Sequence, residues 1–474
     1  MTALSGPIVF NNSGSGSDTA ASGCPANSTA VSVMIQTSAG SNTATASWTG
    51  TISAGDLMYI PDSSFTGRRY NVIASVGSGG SLTFDNNWDD SSFGTSGYVG
   101  GKRAGSNLSG DAIQSDAPDG AVIEIEYTGS DYAMTGNFAP SLGSQSAPVT
   151  FKGTGSGQPR ITSPTGNVNC VRLGAGSYIF ENLAWVCKKI GSAIDVFLIY
   201  DNVTRTKFVD CTFKSEQSTA GGSLFSDTRN STHVGIFQNC IFDGNNLAYR
   251  GFRREGGSAA YAPQNLVNCT FKNMSSGGSP SAGIYFSDSR SCVVRGCIFE
   301  NTVDGIYFRS DSWWQNFLEQ NIIYNLSGNG VNFESGNQLI ACRYEHNIFS
   351  GITGHAFTAN LDYTGEQKLS LFDRNAFHNV TGSTHNNLSA GPNDITLSSD
   401  PFVDASNGNF TVNSDTLKEV SYSLNDDTKV HPFSQFMTPV VDSSQPQEAG
   451  TQVMPFGQWS VTNPEAQLHP LRSS

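Results

Sequence analysis

The chain has 474 residues, enough for several domains or one long repeat, with 51 glycines and only 14% charged residues. A net charge of -14 without any basic cluster excludes a phosphate-backbone partner such as nucleic acid and disfavours an anionic membrane surface. No apolar run approaches the roughly 18 residues of a membrane span, and no alanine- and leucine-rich helical window occurs.

The opening stretch MTALSGPIVFNNSGSGS has neither a basic leader nor a long apolar core. It lacks the pattern of a secretory signal, which predicts assembly in a cytoplasm, where disulfides do not persist. Nine cysteines, an odd number with no C-x-x-C pair, read as free thiols and not as a disulfide framework or a metal site. Nothing in the sequence asks for a cofactor. Residues 1–105 are rich in Gly, Ser and Thr, with strand-like runs AVSVMIQT, DLMYIP, RRYNVIASV and SLTFDN. They predict a small N-terminal β-domain that caps or docks the next unit, entered through a flexible arm too poor in large apolar residues to pack alone.

Residues 106–420 repeat themselves. FVDCTFKSE, FQNCIFDGN, LVNCTFKNM and VRGCIFENT align on Cys211, Cys240, Cys269 and Cys297, with steps of 29, 29 and 28 residues. The frame continues through Asn321, Asn347 and Asn375 and reaches back to Leu183, making eight copies. Two places later stand Trp185, Phe213, Phe242, Phe271, Phe299, Ile323, Phe349 and Phe377; three places earlier stand Phe180, Phe208, Phe237, Leu266, Val294, Leu318, Tyr344 and Phe372. A period of this size built only from short strands and turns predicts a solenoid of parallel strands, its coils stacked about 4.8 Å apart. A column in the alignment is then a physical ladder. The Cys/Asn column is expected to point inward at a turn, with Asn bonding neighbouring coils and Cys filling the same space as a small hydrophobe. The phenylalanine column is expected to form a stacked aromatic core.

A further strand reads GIYFSDS, GIYFRSD and GVNFESG, and Asp288, Asp311 and Glu334 follow it at nearly the same offset. Stacked coils would bring these carboxylates close, and a pair of carboxylates about 5–9 Å apart can hydrolyse glycosides. Trp313 and Trp314, beside Asp311, are candidates for a sugar-stacking platform. The offsets differ, and Asp after a strand is an ordinary turn residue, so the expectation is that no cleavage occurs.

From residue 421 to 474 the repeat is lost. Phe433, Phe436, Met437, Met454, Phe456 and Trp459 lie in a Pro/Gln/Ser-rich segment that has no repeat to bury them. They predict an extended arm whose apolar anchors sit on neighbouring subunits in a trimer.

The alternation of GIYF, a turn and xNCTFxN resembles the right-handed parallel β-helix repeat shared by pectate lyases, phage tailspikes and other surface proteins. The resemblance covers roughly residues 106–420 and implies an all-β solenoid. It says little about activity, since one fold hosts many functions. Together with the free thiols, the small docking domain and the apolar arm, it implies a non-enzymatic surface protein of a virus particle, a capsid decoration or spike of a bacteriophage. Such a protein would partner its sister copies, other virion proteins and host surface polysaccharide. The alternative is a tailspike depolymerase, a glycosidase or lyase acting on that polysaccharide; a secreted lyase or adhesin ranks below both.

Overall fold

The structure is a computed structural model describing residues 8–11, 29–36, 41–48, 51–54, 56–60, 70–85, 87, 93–99, 101–104, 108–110, 113–142, 147–166, 169–190, 194–199, 203–227, 233–255, 264–278, 280–287, 292–309, 313–314, 316–334, 339–340, 342–360 and 371–412. The chain is a right-handed parallel β-solenoid of about eight turns, almost without helix. Each coil runs through three sheets. The first has twelve strands, the second eleven and the third nine.

Both apolar columns read from the repeat are rungs of these sheets. Phe180, Phe208, Phe237, Leu266, Val294, Leu318, Tyr344 and Phe372 stand opposite one another in order along the first sheet. Trp185, Phe213, Phe242, Phe271, Phe299, Ile323, Phe349 and Phe377 do the same along the second. In-register parallel pairing sets like on like, so the rings stack. Phe208 and Phe237 lie 4.8 Å apart at 9°, and Phe242 and Phe271 4.6 Å apart at 8°. The third sheet makes room for them. A Cβ built on Gly283 would come within 2.6 Å of the Phe299 ring, and one on Gly330 within 2.5 Å of Phe349. That close approach is why the glycine of the GIYF pattern recurs.

The corner between the first and second sheets needs a left-handed residue. Asn182, Asp210, Asn239, Asn268, Gln320, His346 and Arg374 occupy it with φ between 51° and 59°, and Gly296 with φ 62°. Asn and Asp tolerate this region best among residues with a side chain, which accounts for half of the column. The next residue turns inward. Cys211, Cys240, Cys269, Cys297, Asn321, Asn347 and Asn375 are all buried there.

These seven form one hydrogen-bonded ladder. Asn321, Asn347 and Asn375 donate Nδ2–H to the carbonyls of Val294, Leu318 and Tyr344 in the preceding coil, at 2.9, 3.0 and 2.8 Å. The thiols of Cys211, Cys240, Cys269 and Cys297 reach the equivalent carbonyls of Phe180, Phe208, Phe237 and Leu266 at 3.4–3.6 Å. Cysteine is therefore more than a space-filler here: it makes the weak version of the bond that asparagine makes strongly. Asp394 ends the ladder, its Oδ1 accepting from Asn375 N at 2.7 Å and Nδ2 at 3.0 Å. Burial alone would raise the Asp394 carboxyl, but hydrogen bonds from His385, Asn375 and Gly391 hold it below the usual range.

The eight described cysteines are free and buried. Burial pushes the Cys211 and Cys269 thiols well above their ordinary pKa, so neither offers reactive thiolate at neutral pH. Native protein treated with iodoacetamide should leave these eight unlabelled, and denatured protein should label all of them. Rapid labelling of Cys240 or Cys269 in the folded chain, read by mass spectrometry, would contradict this placement.

The N-terminal end of the solenoid is covered, and near its C-terminal end one flank is. Residues 29–99 include a closed six-stranded antiparallel barrel, with Ala44, Met58, Ile73, Leu82 and Phe84 in its own core. Leu57, Tyr70 and Val72 of this region join the solenoid core beside Leu108, Ile113 and Ile123. The first sheet continues N-terminally past residue 106. Ile8–Asn11 pairs in parallel with Gly101–Ala104 on one side and with Val122–Glu126 on the other. At the far end, Phe402–Asp404 and Asn409–Val412 form a hairpin. It folds back on the outside of the second sheet, where Phe402 and Phe410 cover Ile322, Ile348 and Ala376. No described helix is long and apolar enough to cross a membrane.

Candidate functional site

The third sheet carries the pattern in which acidic residues were sought. Ile284, Phe286, Ile306 and Phe308 fill the core, while the tyrosine between each pair lies on the outer side of the sheet, Tyr307 partly exposed and Tyr285 buried under its neighbours. Arg253, Tyr285, Tyr307 and Asn332 stand in line on this outer face. Tyr285 and Tyr307 stack at 5.8 Å, and the Arg250 guanidinium lies 4.7 Å from the Tyr285 ring centroid. Arg309 donates Nη1–H to the Tyr285 hydroxyl at 3.3 Å and pairs through Nε with Glu334 Oε2 at 3.7 Å.

Glu255, Glu334 and Asp304 are described carboxylates of this face. Glu255 is paired with Arg253 at 2.5 Å. Glu334 faces Arg309 and the Tyr307 hydroxyl; burial and the Glu334 charge together push the Tyr307 phenol up. Asp304 is buried, its Oδ1 accepting from Asn329 N at 2.6 Å and its Oδ2 from Asn332 Nδ2 at 3.0 Å. Burial raises the Asp304 carboxyl against those stabilising bonds.

Of the carboxylates singled out in the sequence, only Glu334 is described in the structure. Asp288 and Asp311 lie outside the described residues, so their distances from Glu334 are not part of the site. The backbone of Trp313–Trp314 pairs in parallel with Leu339–Ile340; the two indoles lie outside the described side chains. Phe433, Phe436, Met437, Met454, Phe456 and Trp459 also lie outside the described residues. Sequence reasoning passed over Tyr285, Tyr307 and Asp304. The signal was present: the tyrosine recurs at one offset within GIYF, and Asp304 immediately precedes one of those glycines.

A second cluster has the outline of a nucleophile, base and acid. Thr206 Oγ1 is 2.9 Å from His233 Nε2, and His233 Nδ1 is 2.8 Å from Asp227 Oδ2. Arg254 Nη1 donates to the same Asp227 oxygen at 3.0 Å, and Gln264 Nε2 to the His233 carbonyl at 2.8 Å. All four side chains around Asp227 are buried, with Thr206, His233 and Gln264 at 0% exposure and Arg254 at 1%. No substrate reaches such a relay, so it is a structural network satisfying charges that the core encloses. Among the described residues, no group of three or more His, Cys, Asp or Glu is placed to hold a metal ion.

One family model agrees with the geometry at the level of the fold. The family described as right handed beta helix region matches residues 196–389. Among solved structures, Geobacillus virus E2 ORF18 is similar at 12% identity over 74% of this chain and 72% of that one, with a TM-score of 0.36. The tailspike protein gp49 from Pseudomonas phage LKA1 shares 12% identity over 76% of this chain and 63% of its own, with a TM-score of 0.23. The catalytic unit of a thermostable GH87 α-1,3-glucanase from Streptomyces thermodiastaticus shares 12% identity over 80% of this chain and 89% of its own, with a TM-score of 0.21. No curated protein matches the chain.

Proposed function

We propose that this right-handed parallel β-helix protein is a structural component of a virus particle, most simply of a bacteriophage. It serves there as a stiff surface rod, without an enzymatic centre. The observation that carries the non-enzymatic part is the state of the described carboxylates on the third sheet. Glu255 and Glu334 are in ion pairs with arginines, and Asp304 is cradled by Asn329 and Asn332. Each is tied to a neighbour on the same face. The eight buried free thiols support folding in a reducing cell interior. Sister copies, in a trimer, and other virion proteins are the partners of this reading, with the arm of residues 421–474 as the joint.

A second reading, a polysaccharide depolymerase, draws on one feature. The Asp304 carboxyl, raised by burial, and the ion-paired Glu334 both act on Tyr307, and two carboxyls in unlike surroundings are what acid–base catalysis uses. One experiment separates the two. Antibody raised against the chain should decorate intact particles, and purified protein should release no oligosaccharide from host envelope polysaccharide. Unlabelled particles would refute the virion role. Released oligosaccharide that disappears in Asp304→Asn or Glu334→Gln would establish the enzyme instead.

A further inference from the structure

Ile8–Asn11 belongs to the solenoid by its pairing and to the barrel by its chain. It is an inner strand of the first sheet, paired in parallel on both sides. Ile8, Val9, Phe10 and Asn11 stand opposite Gly101, Lys102, Arg103 and Ala104, and Ile8, Val9 and Phe10 also stand opposite Ile123, Glu124 and Ile125. In that register Ile8 and Phe10 share the positions of Ile123 and Ile125, both fully buried.

The place it fills is built without it. Val122–Glu126 is held from its other side by Val149–Thr154. The barrel that precedes Gly101–Ala104 has its own core and joins the solenoid core through Leu57, Tyr70 and Val72. Taking Ile8–Asn11 away leaves two strands about 9.6 Å apart, each with a row of unpaired N–H and C=O groups facing the gap. One inserted strand satisfies both rows at once.

The tether is longer than this place requires. Residues 12–28 join Asn11 to Thr29, and fully extended they reach roughly 55 Å. The ends they join lie near each other: Asn11 stands opposite Ala104, Thr29 stands opposite Val99, and Val99 precedes Ala104 by five residues. Five extended residues and two strand spacings amount to at most about 25 Å, which roughly eight residues would bridge. Residues 12–28 contain no Val, Ile, Leu, Met, Phe, Tyr or Trp, so the excess brings no large apolar side chain to bury.

We propose that Ile8–Asn11 is an exchanged strand that links copies of this chain, each copy placing it between Gly101–Ala104 and Val122–Glu126 of a sister copy. A sister strand has the same sequence, so it makes the same backbone bonds in the same register as the chain's own. The tether then decides between them. Length beyond the span lowers the effective concentration of a chain's own strand, roughly as the −3/2 power, and with it the advantage over a neighbour's strand. A strand of another protein would have to match Ile8 and Phe10 at the buried register positions, which a sister copy does by identity. Neither the virion role nor residues 421–474 enter this argument.

The test uses full-length chains that carry Cys24→Ser, which removes the one cysteine besides the eight buried ones. One chain adds Val9→Cys and a second adds Glu124→Cys, positions opposite each other on adjacent strands at a separation that a disulfide spans. The two are co-expressed with different tags, so that exchange takes place during folding. The purified protein is treated with diamide, which takes up the two thiol hydrogens as the disulfide forms. A disulfide between the two chains is expected on a non-reducing gel, because a chain that keeps its own strand holds only one of the two thiols there. Deleting residues 15–20 leaves a reach of about 36 Å, enough for the chain's own place, and should lower the interchain product roughly threefold or more with circular dichroism unchanged. A single chain carrying Val9→Cys and Glu124→Cys together serves as the control for the register, read by peptide mass spectrometry. A disulfide formed only within that chain, with none between the co-expressed pair, would overturn the proposal. So would the absence of any disulfide in both, since the strand would then lie elsewhere, and so would an interchain product that the deletion leaves unchanged.

Discussion

Asn347→Ala should lower the stability of the solenoid by about 3–6 kcal/mol, several times the effect of Cys269→Ala three coils away in the same column. The Asn347 side chain makes four buried hydrogen bonds. Its Oδ1 accepts from Asn321 N at 3.0 Å and Asn321 Nδ2 at 2.9 Å, and its Nδ2 donates to Leu318 O at 3.0 Å and Asn375 Oδ1 at 2.9 Å. Truncation leaves those partners enclosed, each short of one bond, and a buried polar group without its partner costs about 1–3 kcal/mol. Relaxation of the coil recovers part of the sum. At Cys269 the lost bonds are weak thiol contacts to Phe237 O at 3.6 Å and Val267 O at 3.4 Å, so Cys269→Ala should cost about 1 kcal/mol. Asn347→Cys should fall between, because a thiol can still donate to the Leu318 carbonyl. Urea denaturation gives the ranking, and hydrogen exchange at the Asn321 amide gives the local effect. Repeat proteins unfold by coils and a single global transition is not assured. Equal losses for Asn347→Ala and Cys269→Ala would show that the ladder contributes packing and not hydrogen bonds.

Removing Asp227 should have an effect of similar size by another route. Arg254 and His233 both face its Oδ2, and all three side chains are at most 1% exposed. Asp227→Ala encloses the Arg254 guanidinium without its counter-charge, and breaking one half of a buried pair costs about 3–5 kcal/mol. Replacing both partners, Asp227→Leu with Arg254→Met, should cost less than the single change, because no charge is then left stranded. The contrast lies on the outer face. Arg309 and Glu334 are 57% and 36% exposed and 3.7 Å apart, so Arg309→Ala should change stability by about 0–1 kcal/mol. Thermal unfolding of the three variants distinguishes the cases. An Asp227→Ala protein as stable as Arg309→Ala would mean that water reaches the cluster, and its resemblance to a catalytic relay would then need to be taken seriously.

The fold was legible because a solenoid turns sequence period into geometry. Once Cys211, Cys240 and Cys269 are aligned, the positions of Phe208, Phe237 and Leu266 in one sheet and of Phe213, Phe242 and Phe271 in another follow, since each coil repeats the last. The glycine of GIYF recurs for the same reason: Gly283 and Gly330 stand where the aromatic column leaves no space for a Cβ.

What the period does not reach, the tertiary structure decided. Thr206 and Gln264 are rungs of one column and Asp227 and Arg254 of another, but only the closed core shows that His233 joins these two columns into one network. Ile8–Asn11 reads as part of a sparse arm, yet it is a strand, because Gly101–Ala104 and Val122–Glu126 each offer it an edge. The terminal hairpin of Phe402 and Phe410 looks like a last coil and instead lies on the flank over Ile322 and Ile348, where an apolar outer column of the second sheet is otherwise open to water. The sequence by itself determined the repeat, its inward columns and the stacking of like on like, because those depend on positions one coil apart. The tertiary structure alone decided which outward residues meet, since turns of unequal length between the strands set which side chains gather at each corner and on each face.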